Sequence, residues 1–115
     1  MNILGLNLGH DASCTLIKNF KIIAACEQER YSKKKHTREF PINAINDALN
    51  IGKININKID VICVGFLPMR YIDEFFLKPA VEDRKKLNFL VDGANRIHEN
   101  LNLENIIREN LSSLS

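Results

Sequence analysis

Three short apolar segments crowd into the first 27 residues, and the links between them limit how they can pair. Residues 3–8 carry leucine at every second position, and residues 13–18 and 21–27 are rich in β-branched and small apolar side chains, a pattern typical of strands. A parallel crossover needs a dozen or more residues, whereas Asn19-Phe20 is only two residues long. We therefore expect three antiparallel strands. Asn19 tolerates a positive φ, but glycine would adopt such a conformation more readily than Phe20 does, so the type of turn stays open.

The rest of the chain predicts a helix, one more strand and further helices. Pro41 opens a segment with apolar residues at helical spacing, and residues 61–66 form a continuous apolar run that fits a strand buried on both faces. The fold class is therefore α/β, with a mixed β-β-β-α-β sheet over residues 1–66 and a helical segment over 67–115. No closing strand follows, so we expect an incomplete domain.

Composition limits the partners and the compartment. The chain has 115 residues and a formal net charge of +2, which corresponds to one domain and is too small a charge to indicate a nucleic-acid partner. No apolar stretch approaches the ~18 residues of a membrane span, and the N-terminus lacks the basic region of a secretion signal. The cysteines at 14, 26 and 63 lie in apolar runs without metal-ligand spacing. We interpret them as buried free thiols, which are typical of a reducing compartment and therefore indicate a cytoplasmic protein.

The link between the first two strands is the first candidate site. It consists of Gly9, His10, Asp11, Ala12 and Ser13. Such small and polar residues allow a bend whose N–H groups point at an anion, and the imidazole can exchange a proton near neutral pH. The alternative is an ordinary turn in which the Asp and Ser side chains satisfy backbone groups.

A basic loop is the second candidate. Residues 30–38 contain Arg30, Lys33, Lys34, Lys35, His36 and Arg38. Concentrated positive charge suits a phosphate or carboxylate substrate. The alternative is a solvated surface run balanced by nearby glutamates.

The sequence does not predict a complete metal site or a nucleotide-binding loop. It contains no H-x-x-x-H, C-x-x-C or paired-carboxylate spacing, and neither the phosphate-loop nor the dinucleotide glycine pattern. His98 stands alone in a helical pattern and is more simply interpreted as a surface residue than as a metal ligand.

Taken in order, these pieces resemble one family. Four segments are similar to the start of the O-carbamoyltransferases that act in nodulation-factor and antibiotic tailoring. These segments are ILGLNLGHDASCTLIK, KIIAACEQERYSKKKH, FPINAINDALN and IDVICVGF. The resemblance covers residues 1–66 and depends on the HDAS turn together with ERYS and KKKH. It implies a ribonuclease-H-like fold, shared with sugar kinases, actin and the tRNA-threonylcarbamoyl-transfer proteins, in which two lobes hold a nucleotide.

The resemblance also implies chemistry for the intact enzyme. The family uses ATP and a divalent metal to convert carbamoyl phosphate into a carbamoyl-adenylate, and passes the carbamoyl group to an acceptor hydroxyl. By motif position His10 and Lys35 match active-site residues; residues 9–13 would bind the nucleotide, and Arg30, Lys35 and His36 the substrate. The family's H-H-x-x-H metal motif and second lobe are absent from this sequence. We therefore expect no turnover and no tight cofactor binding by this chain without the remainder of the enzyme or a second chain.

Two other functions remain open at this point. One is a non-catalytic remnant or partner-binding module, including a homo-oligomer formed through an exposed sheet edge. The other is a phosphate- or nucleotide-binding relative of the sugar-kinase group without carbamoyl chemistry.

Overall fold

The computed structural model describes residues 1–114, apart from the side chain of Phe89. The chain divides into two compact units, one formed by residues 1–65 with the end of the chain from Asn110, the other by residues 66–109. None of the helices in the described part of the chain is long and apolar enough to cross a membrane.

The first unit contains a four-stranded mixed sheet. Its strands are β1 (Asn2–Asn7), β2 (Ser13–Lys18), β3 (Lys21–Glu27) and β4 (Val61–Val64), in the order β3-β2-β1-β4. β2 runs antiparallel to both β1 and β3, as its short links require. β4 runs parallel to β1 after a crossover that contains a helix. The predicted mixed α/β architecture is therefore confirmed.

One face of the sheet is covered by a helix. Helix α2 (Ile42–Gly52) packs against β2 and β3. The core is formed by alternate residues of the strands and by the apolar stripe of the helix. Alternate strand residues point to the same face of the sheet, and helix residues three or four apart lie on one side of the helix. The members of the core are Leu4, Leu6, Cys14, Leu16, Ala24, Cys26, Ala44, Ile45, Ala48 and Leu49.

The prediction for the fourth strand is wrong in one respect. β4 is an edge strand, and its residues are exposed or half-buried instead of buried on both faces. Cys63 is accordingly exposed, although Cys14 and Cys26 are buried free thiols as predicted. A continuous apolar run does not distinguish an edge strand from a central one, because the neighbour that would cover it lies elsewhere in the fold.

Short helices make up the second unit. They are α3 (Pro68–Ile72), a π-helical turn (Asp73–Leu77), α4 (Lys78–Glu82), a 3-10 turn (Arg84–Lys86), α5 (Asn88–Asp92), α6 (Ala94–Leu101) and the start of α7 (Leu103–Ser112). Pro79 lies in the first turn of α4, where its missing N–H is tolerated. Two short helices in the first unit, α1 (Glu29–Ser32) and a 3-10 turn (Ile56–Lys58), complete the elements that bear on the site.

Candidate functional site

The turn between β1 and β2 is held by one asparagine. The side-chain amide of Asn7 donates hydrogen bonds to the carbonyls of His10 and Asp11, both at 2.9 Å. Its Oδ1 accepts a bond from the N–H of Gly9. Asp11 has a φ of 60°, a left-handed conformation that aspartate tolerates better than most residues. The turn thus places the His10 and Asp11 side chains at the end of two strands.

A backbone connection fixes this turn against the basic loop. The N–H of Ala12 donates to the carbonyl of Thr37 at 3.0 Å, and the N–H of Gln28 donates to the carbonyl of Ala12 at 2.9 Å. Ala12 and Thr37 are buried. Because the residues next to this connection are Asp11 and His36, the two side chains are held on the same side of the loops.

The result is a compact cluster of His10, Asp11 and His36. Nδ1 of His10 lies 2.9 Å from Oδ2 of Asp11, and Nδ1 of His36 lies 2.8 Å from Oδ1 of the same carboxylate. The two imidazole rings are stacked, with centroids 4.6 Å apart and an angle of 16° between their planes. About half or more of each side chain is exposed, at 54%, 52% and 64% respectively.

The shared carboxylate changes the ionisation of its neighbours. The hydrogen bond from His36 is the main reason that the pKa of Asp11 is lowered, because it favours the carboxylate form. The same hydrogen bond, helped by the negative charge of Asp11, raises the pKa of His36. Asp11 is therefore ionised at neutral pH and acts as a hydrogen-bond acceptor for both rings.

The other residues predicted for the site lie around this cluster. Gly9, Ala12 and Ser13 are in the turn, as described. Lys35 precedes His36 in the loop, and its side chain is exposed without an ion pair among the described residues. Arg30 is an exposed residue of α1. The nearby Lys34 is paired with Glu39 at 2.6 Å. The structure thus joins His10 to His36 through Asp11, and among the described residues it shows no hydrogen bond or ion pair from Lys35 or Arg30 to that group.

An open groove begins beside the turn. Its volume is about 310 Å³, and it lies over the carboxyl ends of the parallel strands β1 and β4. Asn7, which holds the His10 turn, is one of its walls. The groove is lined by Gly5, Leu6, Asn7, Ser13, Cys14, Thr15, Cys63, Val64 and Gly65. A Cβ added at Gly65 would meet no atom within 4 Å, so this end is open space.

Sequence reasoning missed two features of this region. It treated Asp11 as a turn residue, whereas the structure makes it the centre of the cluster; no local pattern links positions 25 residues apart. It also missed the hydrogen bond that the Tyr31 hydroxyl donates to Asp47. Asp47 belongs to a polar stripe of α2 with Asn43, Asn46 and Asn50, and this helical spacing was the available signal.

The residues do not reproduce the metal motif that the family resemblance implies. His98 lies on α6, and its ring nitrogens and carbonyl are within hydrogen-bond distance of the Asn102 amide. Among the described residues, the group that brings three metal-ligating side chains together is His10, Asp11 and His36, whose ligand atoms all lie within 4.8 Å of one another.

Comparison with known families shows which family the chain belongs to. The family model described as "Carbamoyltransferase N-terminus" matches residues 2–114. The chain belongs to this family. The resemblance to carbamoyltransferases seen in the sequence is confirmed, and the match extends beyond residue 66 through the helical segment.

Three curated relatives are similar to this member of the family. An uncharacterized protein of Synechocystis, sll1178, is 28% identical over 98% of the chain, and the uncharacterized protein MJ1051 of Methanocaldococcus jannaschii is 40% identical over 55% of it. Nodulation protein NolNO of Sinorhizobium fredii is 29% identical over 64% of the chain. The chain spans 19%, 12% and 10% of the length of these proteins respectively.

Proposed function

We propose that this chain is part of the N-terminal region of an ATP-dependent O-carbamoyltransferase with a ribonuclease-H-like fold. The intact enzyme would take the carbamoyl group of carbamoyl phosphate through a carbamoyl-adenylate to an acceptor hydroxyl. Membership of the carbamoyltransferase N-terminus family supports the transferase class. The similarity to a nodulation protein and the mixed sheet with parallel β1 and β4 support the finer assignment. Unpaired thiols at Cys14 and Cys26, which lie opposite each other on β2 and β3, support a cytoplasmic location.

One observation carries the proposal: Asn7 and Ser13, which flank the turn that bears His10, line a groove over the carboxyl ends of parallel strands. In α/β sheets this is where ligands bind. Asn7 contributes both to the groove wall and to the turn, because its amide donates to the carbonyl of His10. A ligand in the groove would therefore contact a residue that holds the His10 turn. A volume of about 310 Å³ suits a small molecule.

The chemistry assigned to His10 follows from its partner. Since the ionised carboxylate of Asp11 can only accept a hydrogen bond, Nδ1 of His10 carries the proton and the neutral ring has its lone pair on Nε2. Asp11 thereby fixes the tautomer and the ring orientation. We assign His10 to the carbamoyl-transfer step, where Nε2 of the neutral ring would accept a proton from the reacting group or, when it carries a proton itself, would donate a hydrogen bond to it. Lys35 would stabilise negative charge on the substrate.

The cofactors belong to the intact enzyme in this proposal. ATP, when bound there, would supply the adenylyl group that activates the carbamoyl carbon. The described residues offer the turn 9–13, with its small side chains, as one wall of such a site. We expect the 115-residue chain alone to show no turnover and no micromolar binding of ATP in calorimetry.

The test uses the intact polypeptide that carries this segment. Release of pyrophosphate from ATP that depends on carbamoyl phosphate would report carbamoyl-adenylate formation. Transfer of label from ¹⁴C-carbamoyl phosphate to a panel of sugar hydroxyls would report the second step. His10→Ala and Lys35→Ala should each lower label transfer by about 10²–10⁴-fold, the usual size of an acid–base or charge-stabilising contribution.

Two matched variants control for general effects. Lys21→Ala removes an exposed lysine at the start of β3, and His98→Ala removes an exposed histidine of α6; both should keep near-normal transfer. Near-normal transfer in both His10→Ala and Lys35→Ala would overturn the site assignment. Nucleotide binding without any response to carbamoyl phosphate would overturn the carbamoyl chemistry and favour a relative of the sugar-kinase group.

The sheet edges favour a second candidate function, a partner-binding module. Ile22 on β3 and Ile62 on β4 are exposed apolar residues of the two edge strands, and such edges pair with other chains. Size-exclusion chromatography distinguishes the candidates. Concentration-dependent self-association that is lost in Ile62→Lys would support edge pairing, whereas a monodisperse monomer of 13 kDa would count against it.

A further inference from the structure

We propose that His10, Asp11 and His36 form a binding site for one divalent ion of the zinc class. This proposal does not depend on the carbamoyl chemistry, because it concerns metal binding by the chain itself. The site differs from the histidine-rich motif of the family in both its residues and its position in the sequence.

The donor set is the first argument. Two imidazole nitrogens and one carboxylate oxygen are ligands that zinc, cobalt(II) and iron(II) accept, while magnesium and calcium prefer oxygen ligands alone. The three ligand atoms lie within 4.8 Å of one another. Zinc binds nitrogen and oxygen at about 2.1 Å in a tetrahedral arrangement, so its ligand atoms are about 3.4 Å apart. All three side chains are exposed, so rotation about their side-chain bonds is free to bring the ligand atoms to that separation.

Charge is the second argument. In the metal-free cluster both rings direct Nδ1 at one carboxylate, and their centroids are only 4.6 Å apart. The negative charge of the carboxylate therefore lies beside both ring nitrogens. A divalent cation among these three atoms would be attracted by that charge and would bond directly to atoms that already face one another.

Preorganisation is the third argument. The connection between Ala12 and Thr37 ties the two ligand-bearing loops together, so ligands distant in the sequence are held in place before any ion binds. Asp11 and His36 are both left-handed, with φ of 60° and 55°. Non-glycine residues rarely adopt that conformation unless their surroundings impose it.

The consequence concerns both the ion and His10. Three protein ligands leave at least one position for water or an anionic oxygen, the arrangement of a catalytic and not a structural zinc site. With Nδ1 bound to the ion, Nε2 of His10 carries a proton. With the ion bound, His10 would therefore act as a hydrogen-bond donor to the reacting group and not as a proton acceptor.

The experiment is titration of the tag-free 115-residue chain with Zn²⁺ by calorimetry, and with Co²⁺ by visible absorption. We expect one equivalent to bind and Mg²⁺ not to compete. Asp11→Asn and His36→Asn should each weaken Zn²⁺ binding at least about tenfold; asparagine tolerates the left-handed backbone at both positions. His98→Ala is the matched control and should bind as the unchanged chain does.

A second measurement needs no variant. The chain has three histidines, and carbethoxylation followed by peptide mapping reads each one separately. Zn²⁺ should protect His10 and His36 but leave His98 reactive. The proposal is overturned if no saturable Zn²⁺ or Co²⁺ binding occurs, if Asp11→Asn binds unchanged, or if all three histidines are protected equally.

Discussion

Asp11 and His36 are 25 residues apart in the chain, yet Oδ1 of the carboxylate lies 2.8 Å from Nδ1 of the imidazole. The neighbouring backbone bond from Ala12 to Thr37 brings their loops together. The candidate site therefore depends on how the β1–β2 turn and the basic loop meet, and so on the packing of the first unit. The following predictions test that packing and its electrostatics.

Phe20→Gly should stabilise the protein. Asn19 and Phe20 form the two-residue link between β2 and β3, with φ of 48° and 64°, as in a type I′ turn. A residue with a Cβ in this conformation costs roughly 1–2 kcal/mol, and Phe20, at 89% exposed, recovers little of it by packing. Glycine also gains entropy in the unfolded chain, which offsets part of this gain. We therefore expect the free energy of unfolding in urea to rise by about 1 kcal/mol and not by the full amount.

Phe20→Ala is the control for this prediction. It removes the same exposed ring but keeps the Cβ, so it should leave the free energy of unfolding nearly unchanged. A gain from alanine as large as the gain from glycine would show that the ring, and not the backbone conformation, limits stability.

Gln28→Leu should destabilise the first unit. Gln28 is 3% exposed; its Oε1 accepts a hydrogen bond from the N–H of Ala44, and its Nε2 donates one to Asn43. Ala44 lies in the first turn of α2, where N–H groups have no partner within the helix, and Pro41 supplies no side-chain cap. Leucine would leave that N–H buried and unpaired, which lowers the free energy of unfolding by about 1–3 kcal/mol.

Asn43→Ala is the control, because it removes the other hydrogen bond of Gln28 and leaves the N–H of Ala44 paired. It removes the partner of the Gln28 amide at an exposed position, so its cost in urea denaturation should stay near 1 kcal/mol or below. Equal losses for the two variants would contradict the capping role of Gln28.

The Tyr31 phenol should ionise at higher pH than an ordinary tyrosine. The hydrogen bond that it donates to Asp47 is the main reason that the pKa of Tyr31 is raised, because the bond needs the protonated hydroxyl. Its stabilising contribution is therefore fully present below the ordinary pKa of about 10 and is lost as the pH rises through the higher pKa of the folded state. Absorbance at 295 nm measures the phenolate directly.

Tyr71→Phe provides the background for that titration, since the chain contains only two tyrosines. In this background Asp47→Asn should shift the Tyr31 midpoint to lower pH, and Glu82→Gln, at an exposed carboxylate of α4, should not. An unchanged midpoint in Asp47→Asn would show that the carboxylate does not hold the proton.

The strands and the main helix could be predicted because their causes are local. Alternation placed Leu4 and Leu6 on the buried face of β1, and the links to β2 and β3 were too short for parallel pairing. The helical stripe that includes Ile45 and Leu49 was buried against the sheet in the same way. Each of these features is set by the side-chain period and by the reach of a few residues of backbone.

Exposure of β4 and the composition of the site were decided by tertiary structure. Whether Cys63 is buried depends on the position of β4 in the strand order of the sheet. A run of apolar residues in the sequence does not specify that position. The sequence placed His10 and Asp11 in one turn and His36 in a charged loop, because turn and charge signals are local. Only the folded chain could put both imidazoles on one carboxylate, since that contact joins loops far apart in sequence and exists only once β1, β2 and the loop before α2 have packed together.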